Sequence, residues 1–154
     1  MKIKHTFLLE EGFWVATGEY FDMHGAPAAL EGTARITHGE GLWKSRGVMR
    51  LASSGGGGAP MEIENNYEIR PFEGRDHTGW TSMNPALGRL AGLFVIVDDT
   101  IVSTISSEDG QFSGIECLQK VTDYHYRTRG FIFKGDEKVS SWAADLVRRT
   151  EGMH

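Results

Sequence analysis

A chain of 154 residues with 40% hydrophobic and 24% charged side chains has the size and composition of one soluble globular domain, residues 1–154, long enough to bury roughly two-thirds of its unfolded surface. The formal net charge of −5, with no basic run longer than Arg148-Arg149, argues against a nucleic-acid or anionic-membrane partner. A single cysteine, Cys117, excludes an intrachain disulfide and a thiolate zinc cluster. No apolar run approaches the roughly 18 residues of a membrane helix. The apolar patch in the opening MKIKHTFLLEEGFW breaks at Glu10-Glu11 before a secretory core forms, so cytoplasmic residence is the expectation.

In chain order, KIKHTFLL is a possible strand and FWVATGEYF a clear one. ALEGTARITH sets Leu30, Gly32, Ala34 and Ile36 on one face and Glu31, Thr33, Arg35 and Thr37 on the other, the pattern of a half-buried strand. LWKSRGVMRL repeats it, with Lys44, Arg46 and Arg50 facing water, and MEIENNYEIR repeats it again. Between these two lies SSGGGGAP, Ser53 to Pro60, which reads as a hairpin loop rather than a domain linker. Its glycines lack the Lys-Ser/Thr of a phosphate-binding loop.

NPALGRLAG, Asn84 to Gly92, offers a capping asparagine and a proline at the first helical position, but two glycines reduce it to a turn or a single helical turn; a lid over an opening is the alternative. RLAGLFVIVDD, TIVSTISS, FSGIECLQKV, YHYRTRGFIFK and KVSSWAADLVRR then follow as strands, separated by short polar turns such as Asp98-Asp99, Thr122-Asp123 and Lys134-Gly135-Asp136. Nine or ten strands at hairpin spacing leave no room for parallel crossovers. Sandwich and barrel both accommodate such a meander, and closure is what removes the edges. The expected fold is all-β: a single antiparallel up-and-down barrel of nine or ten strands.

Gly12-Phe13-Trp14 resembles the Gly-x-Trp that opens the first barrel strand of lipocalins and the wider calycin group, and Thr122-Asp123-Tyr124 is similar to their late Thr-Asp-Tyr turn. The resemblance implies an arginine from the closing strand laid across the Trp14 ring at the shut end, a role open to Arg148 or Arg149. Such a guanidinium gains roughly 0.5–2 kcal/mol of cation–π attraction. Gly12 would allow the tight approach, while Ala16 and Gly18 on the face of Trp14 leave space above it. There is no disulfide pair as in secreted lipocalins, and the shorter bacterial barrels, nitrobindin-type and fatty-acid-binding-like, are also similar.

His5, His24, His38, His77, His125 and His154 show no HxH or HExxH spacing, so no metal site is expected. A haem barrel would draw its axial ligand from His24, His77 or His125, and none lies in a segment resembling the nitrobindin ligand region; no cofactor is expected. No GxSxG elbow singles out a serine nucleophile.

Polar residues on faces that read as interior are more informative. Asn65 and Tyr67 sit among Met61, Ile63 and Ile69, and a buried amide or phenol without a partner costs roughly 1–3 kcal/mol. Glu116 shares a face with Gly114 and Leu118, opposite Ile115 and Cys117; which face points inward is open. If Glu116 is interior, Arg127 or Arg129 would supply its cation, by analogy with the arginine and tyrosine that hold a carboxylate in fatty-acid-binding proteins. If it is exterior, these groups form an ordinary cross-strand ion pair. Trp14, Trp43, Trp80 and Trp142, with Tyr20, Tyr67, Tyr126 and Phe94, are large rings that suit a partly wet pocket and equally serve core packing. The candidate ligand-binding set is therefore Trp43, Asn65, Tyr67, Glu116, Tyr126, Arg127 and Arg129, with Gly12, Trp14, Arg148 and Arg149 at the barrel floor.

The function these residues suggest is interior binding of a small hydrophobic or amphipathic molecule. An isomerase, cyclase or lyase on the same scaffold, working through Tyr67, Glu116 and an arginine, is the second expectation. A dimer of filled barrels is the third, since exposed strands such as GLFVIVDD can pair between copies as a homodimer.

Overall fold

The computed structural model describes residues 3–52 and 60–150. The stretch 53–59, read above as a hairpin loop, and His154 lie outside the described residues. Ten strands follow in chain order: β1 (Gly12–Phe21), β2 (Pro27–His38), β3 (Trp43–Leu51), β4 (Met61–Ile69), β5 (His77–Asn84), β6 (Gly88–Val97), β7 (Thr100–Ser107), β8 (Phe112–Thr122), β9 (His125–Lys134) and β10 (Glu137–Arg149). Each pairs antiparallel with its neighbours in sequence, and β1 pairs with β10, so the sheet closes into an up-and-down barrel. Among the described residues there is no helix, and so none long and apolar enough to cross a membrane.

Two segments differ from the sequence expectation. The described part of KIKHTFLL is not a strand: residues 3–11 run beneath the barrel and turn at 7–9, which brings the consecutive Phe7 and Leu8 both into the core. The tenth strand is instead β5, HTGWTSMN. Asn84 ends it in a turn, its side-chain oxygen accepting hydrogen bonds from the amides of Ala86 (2.8 Å) and Leu87 (2.9 Å), so NPALGRLAG divides between that turn and the start of β6. Of GLFVIVDD, Phe94 is buried inside, whereas Leu93 and Val97 are exposed on the outer wall.

Large side chains fill the floor and small ones line the middle. Trp14 is fully buried and meets Phe7 and Tyr126 edge-on, with ring centroids 5.3 and 5.6 Å away. The segment below is tied in by polar contacts. His5 Nδ1 lies 2.7 Å from the Tyr126 hydroxyl and its Nε2 2.8 Å from the Asp98 carbonyl, while Thr6 donates through its hydroxyl to the Asp123 carbonyl at 2.7 Å. Leu8 adopts φ 68°, a left-handed conformation unfavourable for leucine, and is held there by burial and by His38 Nε2, 2.8 Å from its carbonyl.

Register settles the arginine at the floor. Trp14 stands opposite Arg148, whose guanidinium lies 6.0 Å from the indole centroid and donates to Glu10 Oε1 (2.8 Å) and the Glu11 carbonyl (2.6 Å). This hydrogen bond to Arg148 holds the Glu10 carboxyl below its ordinary value. A Cβ at Gly12 would come within 2.8 Å of Arg148 Nε, so the glycine makes way for the guanidinium. Arg149, opposite Phe13, is exposed on the outer wall. The Thr-Asp-Tyr turn joins β8 to β9 at the same end, with the Tyr124 carbonyl accepting from the Arg148 amide at 2.8 Å.

Candidate functional site

Above this floor the barrel holds a cavity of about 240 Å³ that reaches solvent, its lining including the exposed Thr33 and Asn65. Its walls are mostly apolar, from Leu30, Met49, Ile63, Phe94, Ile105 and Ile132, with Ser45, Asn65, Tyr67, Glu116, Thr128 and Ser140 as the polar groups. Room exists because Ala16 and Gly32 replace bulk at mid-height on β1 and β2. The wall is least continuous between β4 and β5, which share three ladder pairs, Tyr67↔Ser82 to Ile69↔Trp80. On its other side β4 pairs with β3 from Trp43↔Ile69 to Leu51↔Met61. Ile63 and Asn65 therefore line the cavity beside an interruption in the ladder.

Glu116 points inward. Oε2 accepts from Thr128 Oγ1 and from Trp142 Nε1, each at 2.7 Å. Glu116, Gly130 and Trp142 form one cross-strand row over β8, β9 and β10, and the indole lies over Gly130 to reach the acid. A Cβ there would sit 2.4 Å from Trp142 Cζ2, so the hydrogen bond requires glycine at this position. Burial pushes the Glu116 carboxyl above its ordinary value, opposed by the Thr128 and Trp142 hydrogen bonds. Across the cavity Tyr67 is also pushed up, by burial first and then by the charge of Glu116, while a hydrogen bond with the Asn65 side chain works the other way. The phenol thus remains a neutral donor.

Asn65, Tyr67 and Glu116 are brought together at the cavity. The other candidates are not. Arg127 and Arg129 point outward, since Glu116 faces Gly130 in register and β9 alternates around it; Arg127 lies 3.8 Å from Asp145 and Arg129 donates to the Thr128 carbonyl at 2.8 Å. The interior ion pair does not form, and a tryptophan and a threonine take the place expected for the cation. Tyr126 is buried in the floor on His5 and Thr6. Trp43 stacks on His38 at 3.7 Å and packs near Phe72, below the cavity. His24 is exposed in the β1–β2 turn, His77 bonds Asp76 (2.8 Å) and His125 bonds Asp145 (2.9 Å); none of the three lines the cavity.

Sequence reasoning missed Thr128 altogether, and counted Trp142 among the aromatic rings of a cavity without linking it to Glu116. Gly130 inside an otherwise regular strand was the available signal, because an interior strand glycine marks a close approach.

The raised pKa of Glu116 fixes a sign. The folded chain holds this proton more tightly than the unfolded chain, so stability falls as pH rises from the ordinary carboxylate range through the folded value, and stays lower above it. Glu116→Gln retains an acceptor for Thr128 and Trp142 without the charge. The variant is expected to match the parent near pH 4 and to melt at higher temperature at pH 8. A pair of melting curves at each pH tests this, and an equal deficit at both would refute it.

The class of protein is therefore defined at the level of fold: a closed ten-stranded antiparallel barrel with an interior cavity onto which an acid, a phenol and an amide face. Among solved structures, the chain is similar to the S-type phycobiliprotein lyase CPES from Guillardia theta, with a TM-score of 0.66 and 10% identity over 94% of this chain and 92% of that one. At that identity the likeness is one of fold. An N-terminal dehydratase from the difficidin assembly line matches with a TM-score of 0.29 and 10% identity, over 95% of this chain and 80% of that one. No protein-family model and no curated protein matches the chain.

Proposed function

We propose that this chain is a member of the calycin superfamily that binds a small apolar or amphipathic molecule inside its barrel. The observation that carries the reading is the 240 Å³ cavity, apolar on most sides, onto which Asn65, Tyr67 and Glu116 converge from facing walls. Sites for small ligands combine these two features, an apolar surface for affinity and a few placed polar groups for orientation. The volume lies below the roughly 300–1,000 Å³ of pockets for drug-sized ligands, so the occupant is smaller than these.

Native mass spectrometry of freshly purified protein, followed by organic extraction, tests the reading: a defined excess mass and a released small molecule are expected. Tyr67→Phe is expected to weaken binding of that molecule about 2- to 10-fold, the equivalent of one neutral hydrogen bond of roughly 0.5–1.5 kcal/mol. Unchanged affinity would remove Tyr67 from the site.

A second reading is favoured by one specific feature. Glu116 is shifted towards its protonated form and lies close enough to the neutral phenol of Tyr67 for its charge to act on it, an arrangement in which the carboxyl suits general acid catalysis and the phenol suits hydrogen-bond donation. The lyase with the similar fold lends support to this direction. An enzyme would lose turnover in Glu116→Gln while retaining bound ligand; a carrier has no turnover to lose.

A further inference from the structure

The charge inventory of the cavity is lopsided. Among the described residues that line it, Glu116 is the sole member of the Asp, Glu, Lys, Arg and His group. Its Oε2 carries two hydrogen bonds, from an indole N–H and a hydroxyl, and both donors are neutral. The two arginines nearest in the chain, Arg127 and Arg129, are on the far side of the wall. The donors hold the carboxyl in one orientation through Oε2, and among the described residues none donates a hydrogen bond to Oε1, leaving that oxygen for the cavity.

From this geometry we infer that the barrel selects ligands carrying a basic nitrogen, bound with the apolar part against Leu30, Met49, Phe94 and Ile132 and the ammonium on Glu116. The inference rests on the proposed interior binding and specifies its ligand class. A carboxylate buried without a cation is strongly unfavourable. An ammonium brought in by the ligand supplies both the missing charge and a donor for Oε1, and charge-assisted hydrogen bonds of this kind are roughly twice as strong as neutral ones. A fatty-acid carboxylate in the same place would set two acids against each other. The polarity of the site is thus opposite to that of a barrel that holds a carboxylate with arginine. Asn65 and Tyr67, hydrogen-bonded to each other across the cavity from Glu116, offer neutral groups to a second polar atom of the ligand.

Three probes of equal chain length separate the possibilities: decylamine, decanol and decanoate, each titrated calorimetrically into ligand-stripped full-length protein at pH 7.5. Decylamine is expected to bind at least about 10-fold more tightly than decanol, with decanoate weakest. Glu116→Gln is expected to bring decylamine to within about 3-fold of decanol, which separates local pairing from general attraction to a chain of net charge −5. The ranking on the unmodified protein stands by itself should that variant fold poorly. Decanoate binding as tightly as decylamine, or an amine preference that persists in folded Glu116→Gln, overturns the inference and leaves interior binding intact. Absence of saturable binding by all three probes overturns interior binding of amphiphiles as well.

Discussion

Trp14→Ala is expected to cost about 3–5 kcal/mol of folding stability, the range for truncating a large buried aromatic, and to lower the melting temperature by roughly 10 °C, taking about 2–4 °C per kcal/mol for a domain of this length. The indole is fully buried and is the meeting point of three separate parts of the floor: Phe7 from the segment beneath, Tyr126 from β9 and Arg148 from β10. Removing it leaves an opening that none of them can close without giving up another contact. Tyr126 is held by His5 and Thr6, and Arg148 by Glu10 and the Glu11 carbonyl.

The comparison with Trp14→Phe sharpens the test. The indole N–H of Trp14 has no hydrogen-bond acceptor among the described residues, and an unmet buried donor costs roughly 1–3 kcal/mol. Phenylalanine retains much of the ring and removes that donor, so its loss is expected to be less than half that of alanine. Urea unfolding monitored by circular dichroism reads both. A Trp14→Ala loss under about 1 kcal/mol would show that the floor repacks freely and that the ring is not its organising contact.

Period two was enough to place nine of the strands, because their faces differ in polarity. β5 escaped because they do not: Thr78, Trp80 and Ser82 on one face and Gly79, Thr81 and Met83 on the other are similar mixtures. KIKHTFLL misled for a related reason, as its alternation ends in the adjacent pair Phe7-Leu8. The choice between Arg148 and Arg149 needed the β1–β10 register, which is a property of pairing and not of either strand alone. Asn65 and Tyr67 were legible as polar residues on an apolar face.

Glu116 was legible as a candidate but not as an interior residue. Judged by local polarity, Ile115 and Cys117 make the better inward face, yet closure turns Gly114, Glu116 and Leu118 in, since Leu118 belongs to the core and Ile115 lies exposed outside. The partner of the acid was hidden altogether. Arg127 and Arg129 were selected as the cations on the next strand, across the turn at Thr122-Asp123, whereas the residue that reaches Glu116 is Trp142, 26 positions away and two strands over. Alternation placed the arginines outside; the absence of a side chain at Gly130 let the indole through.

That glycine carries the last prediction. Gly130→Ala is expected to destabilise the fold by about 1–3 kcal/mol, the range for forcing extra volume into a packed interior, and to disturb the site as well. The new methyl would meet Trp142 at 2.4–2.5 Å on Cζ2 and Cε2 and at 2.9 Å on Nε1, the atom that donates to Glu116. Displacing the ring removes one of the two hydrogen bonds that favour the ionised carboxylate, so the Glu116 carboxyl is expected to rise further above its ordinary value. If the clash with Trp142 is the cause, shrinking the ring must relieve it. Gly130→Ala combined with Trp142→Leu should then cost less than the sum of the two single changes, with a coupling of at least about 1 kcal/mol in a double-mutant cycle. Additive losses would mean that the methyl acts on the β9 backbone rather than on the indole, and the row from Glu116 through Gly130 to Trp142 would no longer account for how the acid is held.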